Sequence, residues 1–226
     1  AEAALLAAAP RRVAAPRGRA PKATRGLIAK VRAGARLAVR DRPGGRVLGR
    51  VGHRTDFGSR TALAVFATRD GGRWIGVATS LRRPGRLGWI RVRAGALDWY
   101  RTDRSAHVDL SERRLELRAG DRVLERATVG IGRPSTPTPT GRFGVTDRLR
   151  GSDFGWWYGC CIIALTGVQP DLPPGWQGGN RIAIHGTPAE ASIGAAASAG
   201  CVRGSNELLR RLMVELPLGA PVHIRA

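Results

Sequence analysis

Short apolar runs alternate with glycine- and proline-rich turns between residues 35 and 100. Asp70-Gly71-Gly72 separates two such runs and predicts a hairpin, because glycine adopts positive φ at no steric cost. Closely spaced short strands of this kind predict a small antiparallel barrel. The predicted strands are Arg36–Val39, Val47–Val51, Ala62–Thr68, Trp74–Val77 and Leu87–Val92.

The last of these runs carries a resemblance to a known module. Gly85-Arg86-Leu87-Gly88-Trp89-Ile90 resembles the closing strands of a bacterial SH3-like domain. The resemblance implies an SH3-like β domain over residues 35–100. Residues 1–34 are rich in Ala, Pro and Arg, and we expect a flexible basic linker or tether there. Within this segment, the short apolar stretch Ala3–Ala9 is a candidate remnant of an export signal.

A second β-rich unit begins near Ser105, where apolar and polar residues again alternate. The proline-rich segment Pro134–Thr140 predicts an ordered loop, because proline lacks an amide donor and favours extended backbone. One helix is predicted near the end of the chain, capped by Ser205 and ended by Pro217. Its apolar face comprises Leu208, Leu209, Leu212 and Met213.

Composition narrows the function classes. The chain has 226 residues, 42% of them apolar and 24% charged, a balance that excludes a wholly disordered chain. No run approaches the roughly 20 apolar residues of a membrane span. The formal charge of +21 predicts attraction to polyanions such as nucleic acid, anionic lipid or wall polymers. Because nearly all of this charge is arginine, a GC-rich genome explains it equally well.

Cysteine and histidine usage indicates no metal site and no cofactor. The four histidines are scattered, and none has zinc-finger spacing to a cysteine. Cys160 and Cys161 are neighbours, and adjacent Cα atoms lie about 3.8 Å apart, less than the usual disulfide span. We therefore expect these two cysteines to remain unbridged and to act as small apolar strand residues.

The candidate chemistry lies in two segments, one ending an apolar strand and one preceding the predicted helix. His185 follows Ile182-Ala183-Ile184, and Cys201 follows a stretch of small residues. An imidazole near a thiol can accept its proton, which makes the cysteine a workable nucleophile. Gly200 leaves room for a substrate backbone, and the surrounding amides could form an oxyanion hole.

These two segments resemble the L,D-transpeptidase (YkuD-type) catalytic domain. The family pattern is a strand ending in His-Gly-Thr and, after a spacer, Ser-x-Gly-Cys-[Ile/Val]-Arg. The chain carries this pattern at His185-Gly186-Thr187 and at Ser198-Ala199-Gly200-Cys201-Val202-Arg203. The resemblance covers about residues 105–226 and includes the Thr-Pro-rich segment that ends at Phe143. Many relatives carry histidine where this chain has Ala199, so His185 must act alone as the base.

The resemblance implies a mostly β catalytic domain with a short helix after the catalytic cysteine. Cys201 would be the nucleophile, His185 the general base, and Gly186 the residue whose carbonyl orients the imidazole. Ser198, Gly200 and Arg203 would shape the substrate and oxyanion loop. The family's substrate is the peptidoglycan stem peptide, which implies 3→3 cross-linking through a thioester. The implied location is extracytoplasmic, in the cell wall or periplasm, with the N-terminus as a tether.

Two alternatives remain open from the sequence. Water as acceptor would make the protein an L,D-carboxypeptidase, and a degenerate site would leave a module that binds anionic wall polymers. The sequence contains no recognition-helix or RNA-binding motif, which argues against nucleic acid. A group of aromatic residues could wall a cleft, but core packing is the more common role for such residues. They are Trp156, Trp157, Tyr158 and Trp176.

Overall fold

The computed structural model describes residues 9–175 and 179–226. Within these residues the fold is mostly β, with two eight-stranded sheets and one two-stranded sheet. None of the helices described is long and apolar enough to cross a membrane. The first sheet is antiparallel throughout, in the order β1-β8-β2-β5-β6-β7-β3-β4. Its strands are β1 (Arg11–Arg12), β2 (Leu27–Val31), β3 (Leu37–Arg40), β4 (Val47–Val51), β5 (Ala62–Arg69), β6 (Trp74–Val77), β7 (Gly88–Arg91) and β8 (Leu97–Arg101).

Strand β2 corrects the expectation of a flexible linker over residues 1–34. Leu27–Val31 pairs with both β5 and β8 and contributes buried side chains to the core of the first sheet. The apolar residues Leu27, Ile28 and Val31 lose almost all solvent exposure there, which favours an ordered strand over a tether. The candidate export remnant Ala3–Ala9 lies, except for Ala9, outside the described residues. The five predicted strands of this unit are confirmed, and its SH3-like character stays a prediction.

The second sheet has the order β11-β10-β9-β18-β13-β14-β15-β17. Two of its pairings are parallel, β9 with β18 and β15 with β17, and the others are antiparallel. Strands β12 and β16 form the separate two-stranded sheet. The strands are β9 (Arg104–Asp109), β10 (Arg114–Ala119), β11 (Arg122–Thr128), β12 (Ile131–Gly132), β13 (Gly141–Arg150), β14 (Cys161–Val168), β15 (Arg181–Gly186), β16 (Ala196–Ser198), β17 (Val202–Gly204) and β18 (Pro221–Arg225).

The predicted helix is confirmed as α1 (Asn206–Glu215), which packs on β14 and β15. Ser205 caps it, because its Oγ accepts a hydrogen bond from the Leu208 amide at 3.1 Å. Leu208, Leu209 and Leu212 are buried in the core of the second sheet. The described residues also form four short 3-10 turns: Asp70–Gly72, Gly151–Asp153, Trp156–Tyr158 and Glu190–Ser192.

Cys160 and Cys161 are joined by a disulfide, so the expectation that they remain unbridged is wrong. Alternation of side chains along a strand would separate them, but only Cys161 belongs to β14, and Cys160 lies in the preceding turn. The turn is held from the helix, since the Cys160 amide donates to Asn206 Oδ1 at 2.8 Å. Cys201 is therefore the one free cysteine.

Residues 52–60 of the first unit, which we call the bridging loop, contact the second unit at three places. The Thr55 hydroxyl donates to Asp147 Oδ1 on β13 at 2.5 Å, and Asp147 is fully buried. Asp56 pairs with Arg181 at the start of β15 at 3.4 Å. The rings of Phe57 and Phe154 meet edge to face at 5.8 Å.

Substitution of Thr55 by Val should lower the free energy of unfolding by about 1–3 kcal/mol, because the buried Asp147 carboxyl loses its hydroxyl partner. Urea denaturation measures the change. Thr128→Val on the exposed edge strand β11 is the matched control and should stay within about 0.5 kcal/mol of the parent. Equal effects of the two substitutions would contradict a structural role for the Thr55–Asp147 contact.

Candidate active site

The parallel pairing of β15 with β17 places the segments of the two candidate catalytic residues side by side. His185 lies opposite Arg203 in this register, and Ile184 lies opposite Val202. Side chains two residues apart along an extended segment point to the same face, so Cys201 projects on the same side as Arg203 and His185. Cys201 Sγ also lies 3.9 Å from the carbonyl oxygen of Arg181, the first residue of β15.

The buried imidazole of His185 is held by the backbone of the next residue. Its Nδ1 lies 2.6 Å from the Gly186 carbonyl oxygen, and His185 is 4% exposed. A carbonyl oxygen can only accept, so Nδ1 carries the proton and donates it. The neutral ring therefore keeps Nε2 unprotonated, as a general base requires.

Both candidate groups are neutral in the free protein. Burial lowers the pKa of His185 to about 4; the hydrogen bond to Gly186 opposes this shift and the Arg203 charge adds to it. Burial also raises the pKa of the Cys201 thiol, opposed by the Ala183 amide and by Arg203. The site thus holds a thiol and an unprotonated imidazole, so proton transfer has to accompany attack on a substrate.

Ser198 and Gly200 shape the loop that carries Cys201. Ser198 Oγ donates to the Cys201 carbonyl at 2.6 Å and accepts from the Gly200 amide at 3.0 Å. Gly200 has a φ of +115°, a conformation that disfavours any side chain. Ser198 is 1% exposed, so these bonds form in a dry environment and fix the loop as a tight turn.

Gln169 holds the loop that carries Cys201, although no sequence pattern points to this residue. Its Nε2 donates to the Pro137 carbonyl at 2.8 Å and lies 3.4 Å from the Ala199 carbonyl, while Oε1 accepts from the Asp171 amide at 3.1 Å. It is 4% exposed, and a Cβ at Gly200 would clash with its amide. This one side chain therefore ties the predicted proline-rich loop to the loop of the nucleophile.

The proline-rich loop makes further contacts with the same turn. The Arg133 amide donates to the Ser198 carbonyl at 2.9 Å, and Thr136 Oγ1 donates to the same oxygen at 3.3 Å. Thr138 Oγ1 accepts from the Gly132 amide at 2.8 Å. The proline-rich loop therefore supports the turn at residues 198–201 through hydrogen bonds. No local sequence pattern predicts this role.

Arg203 places a cation near both Cys201 and His185. Its charge lowers the pKa of both His185 and Cys201. The Nε atom is buried and has no hydrogen-bond partner among the residues described. A buried guanidinium nitrogen without a partner is costly, so it can gain from an incoming oxygen of a substrate.

The predicted aromatic residues do not all pack in the core. Tyr158 is partly buried with its ring 4.9 Å from that of His185, and burial and the nearby Cys201 raise its pKa. Trp156 and Trp157 are 72% and 54% exposed, so the expectation of core packing is wrong for both. Trp176 lies outside the described residues. Tyr158 thus lies edge-on to His185, and ring contacts continue from it to the two exposed tryptophans.

Comparison with known proteins identifies the family. The model of the L,D-transpeptidase catalytic domain (YkuD) matches residues 103–224, more than half of the chain. The chain belongs to this family. The matched range contains Cys201, His185 and the loops that hold them.

Individual relatives are distant. The YkuD protein of Bacillus subtilis, named as an L,D-transpeptidase, is 31% identical over 119 residues, which cover 52% of this chain and 63% of that protein. The ErfK/SrfK protein of Salmonella typhimurium, also named as an L,D-transpeptidase, is 32% identical over 52% of this chain and 42% of its own length. The match thus spans less than two thirds of these curated relatives. L,D-transpeptidase 3 of Mycobacterium tuberculosis, solved with a faropenem-derived adduct, has 16% identity and a TM-score of 0.47, covering 62% of this chain and 73% of that one.

Substitution of Gln169 by Leu should slow acylation of Cys201 about tenfold, because the Ala199 and Pro137 carbonyls lose their donor and the nucleophile loop shifts. Stopped-flow kinetics with a carbapenem measures the rate constant and the affinity separately, and we expect the rate constant to fall. Gln169→Glu keeps the acceptor for Asp171 but removes the amide donor, so it should be slowed as well. If only stability falls in both variants, Gln169 does not position the nucleophile.

Proposed function

We propose that the chain is a peptidoglycan L,D-transpeptidase that forms 3→3 cross-links through a thioester on Cys201. The observation that carries the proposal is the tautomer fixed on His185 by the 2.6 Å bond to the Gly186 carbonyl. That bond leaves Nε2 basic, and the register of β15 with β17 sets His185 on the same face of the sheet as Cys201. Membership of the L,D-transpeptidase family supports the substrate class.

The first half-reaction breaks the bond between the diamino acid and the terminal D-Ala of a donor tetrapeptide. As Cys201 Sγ attacks the carbonyl carbon of the third residue, the thiol proton passes to His185 Nε2. The imidazolium then returns this proton to the leaving amine, the C–N bond breaks, and D-Ala departs. The products are a thioester on Cys201 and a neutral His185.

The second half-reaction repeats these steps with a new nucleophile. The side-chain amine of a second stem attacks the thioester carbonyl, His185 accepts a proton from the amine, and the thiolate leaves and is reprotonated. Attack by water in the same position would make the enzyme an L,D-carboxypeptidase, so products formed with and without an amine acceptor separate the two activities.

Oxyanion stabilisation comes from the nucleophile loop and Arg203. The Gly200 amide already donates to Ser198 Oγ, so we assign the oxyanion to the amide of Cys201 itself. Arg203 presents a buried Nε close to both reacting groups, and its charge favours the negative oxygen. We place the enzyme outside the cytoplasm, in the cell wall or periplasm, where this substrate occurs.

Cys201→Ala should fold but form no covalent adduct with a carbapenem or a tetrapeptide stem, and intact-mass spectrometry reports the adduct directly. The variant keeps Cys160 and Cys161, so it also tests whether either of them reacts. His185→Gln retains the thiol and should acylate at least a hundredfold more slowly, in line with the usual contribution of a general base. An adduct on the alanine variant would disprove the assignment of the nucleophile.

The pH dependence of acylation should show the lowered pKa of His185. The base form exists above the folded pKa of about 4 and is lost as pH falls through that value. An unperturbed imidazole would lose it near 6.5. We therefore expect carbapenem acylation to keep its rate from about pH 7 down to about pH 5, with circular dichroism confirming the fold at each pH. A half-maximal loss near 6.5 would contradict a buried, neutral base.

A further inference from the structure

The exposed aromatic side chains gather in two neighbouring loops. Seven large apolar side chains are exposed in the described part of the chain, and the four aromatic ones belong to these two loops. We call these four the aromatic surface; it comprises Phe57, Phe154, Trp156 and Trp157. Exposed apolar groups that gather in this way mark interaction sites more often than scattered ones do.

Contacts between rings link the aromatic surface in two pairs, and one of these pairs spans the two units. Phe57 comes from the bridging loop and meets Phe154 of the second unit at 5.8 Å. The Trp157 ring lies over Gly155, where a Cβ would clash with it, and meets Trp156 at 6.0 Å. The first unit therefore contributes a side chain to a surface that the second unit continues.

The same surface leads to the reacting groups. The Trp157 and Tyr158 rings are 6.2 Å apart, and Tyr158 stands edge-on to His185 at 4.9 Å. Two ring contacts thus separate the exposed Trp157 from the proposed base, and a substrate held at Cys201 extends past these rings if it leaves the site on this side.

The length of the stem peptide indicates which ligand the aromatic surface binds, and this step rests on the proposed function. The third residue of the donor stem lies at Cys201, and three extended residues span about 10 Å. The first residue of the stem is joined to the sugar chain, so a sugar lies at about that distance from the nucleophile. Counted outward from His185, Tyr158 is the first ring in the series of contacts, Trp157 the second and Trp156 the third. These two tryptophans are the exposed rings that a sugar at this distance could meet.

The chemistry of the surface also suits a sugar. Pyranose rings present C–H faces that pack on aromatic faces, and indole offers the largest such face among side chains. At the edge of the surface Arg150 pairs with Asp153 at 3.4 Å, so its charge is already balanced. That end of the surface therefore presents apolar ring faces and an already paired arginine to a ligand.

We propose that the aromatic surface binds the glycan strand that carries the donor stem, and that Phe57 is the contribution of the first unit to substrate binding. The two units then act together: the second binds and cleaves the peptide, and both hold the sugar chain. This gives the bridging loop a role beyond joining the units.

The test compares one tetrapeptide in two forms, attached to its disaccharide and released from it. For Trp156→Ala we expect the KM of the disaccharide form to rise about tenfold. A tenfold change corresponds to about 1.4 kcal/mol, which is about the value of one lost ring contact. The KM of the free peptide should change less than about twofold. Phe57→Leu keeps an apolar contact with Phe154 but removes the ring, and should shift the disaccharide form in the same direction. Val214→Ala, at a side chain of similar exposure on α1, is the control and should alter neither.

Two outcomes would overturn the proposal: an equal rise in KM for both forms, which would assign the surface to the peptide, or no rise in either. Calorimetric titration of the disaccharide form into the parent and Trp156→Ala proteins gives the same comparison without turnover. If the parent protein processes neither form and takes no carbapenem adduct, the proposed function fails. The calorimetric comparison then still decides whether the aromatic surface binds glycan.

Discussion

The parallel pairing of β15 with β17 is the constraint on which the candidate site depends. It sets His185 opposite Arg203, and therefore places Cys201 on the same face as the imidazole although sixteen positions separate them along the chain. Two parallel strands need a long connection between them, and residues 187–201 form the connection from β15 to β17. A shift of one residue in this register would turn Cys201 to the opposite face, so the hydrophobic packing of Ile184 and Val202 also protects the chemistry.

Burial gives this site its electrostatic character. A thiol and an imidazole in water could exchange a proton readily, but here desolvation disfavours both charged forms and keeps the pair neutral until a substrate arrives. Several groups around the pair are already fixed in place. The Gly186 carbonyl sets the tautomer of His185, and Ser198 and Gln169 hold the loop that carries Cys201. Arg203 has a buried Nε without a hydrogen-bond partner among the described residues. Such groups stabilise developing charge at little reorganisation cost because they are already in place.

The first unit is tied to this arrangement through the bridging loop. Thr55 contacts β13, Asp56 contacts β15 and Phe57 contacts Phe154. Arg181, the partner of Asp56, also places its carbonyl oxygen 3.9 Å from Cys201 Sγ. Changes in the bridging loop can therefore reach Cys201 through the Asp56–Arg181 ion pair and the contact between the Arg181 carbonyl and Cys201 Sγ. The same three contacts bring the exposed Phe57 against Phe154 of the second unit.

The sequence by itself determined most of the elements and the two candidate catalytic residues. Alternation and turn residues predict most strands, Ser205 and the leucine stripe predict α1, and His185-Gly186-Thr187 with Ser198–Arg203 carries enough fixed positions to indicate the family. Only the tertiary structure decided the rest. Leu27–Val31 lies in a segment whose composition predicts a tether, but pairing with β5 and β8 makes it a strand. Cys160 can bond to Cys161 because it lies in the turn before β14. Gln169 contacts the carbonyls of Pro137 and Ala199, which are 32 and 30 residues away along the chain. Local patterns report local preferences, whereas burial, pairing and hydrogen-bond satisfaction depend on which distant segments the fold brings into contact.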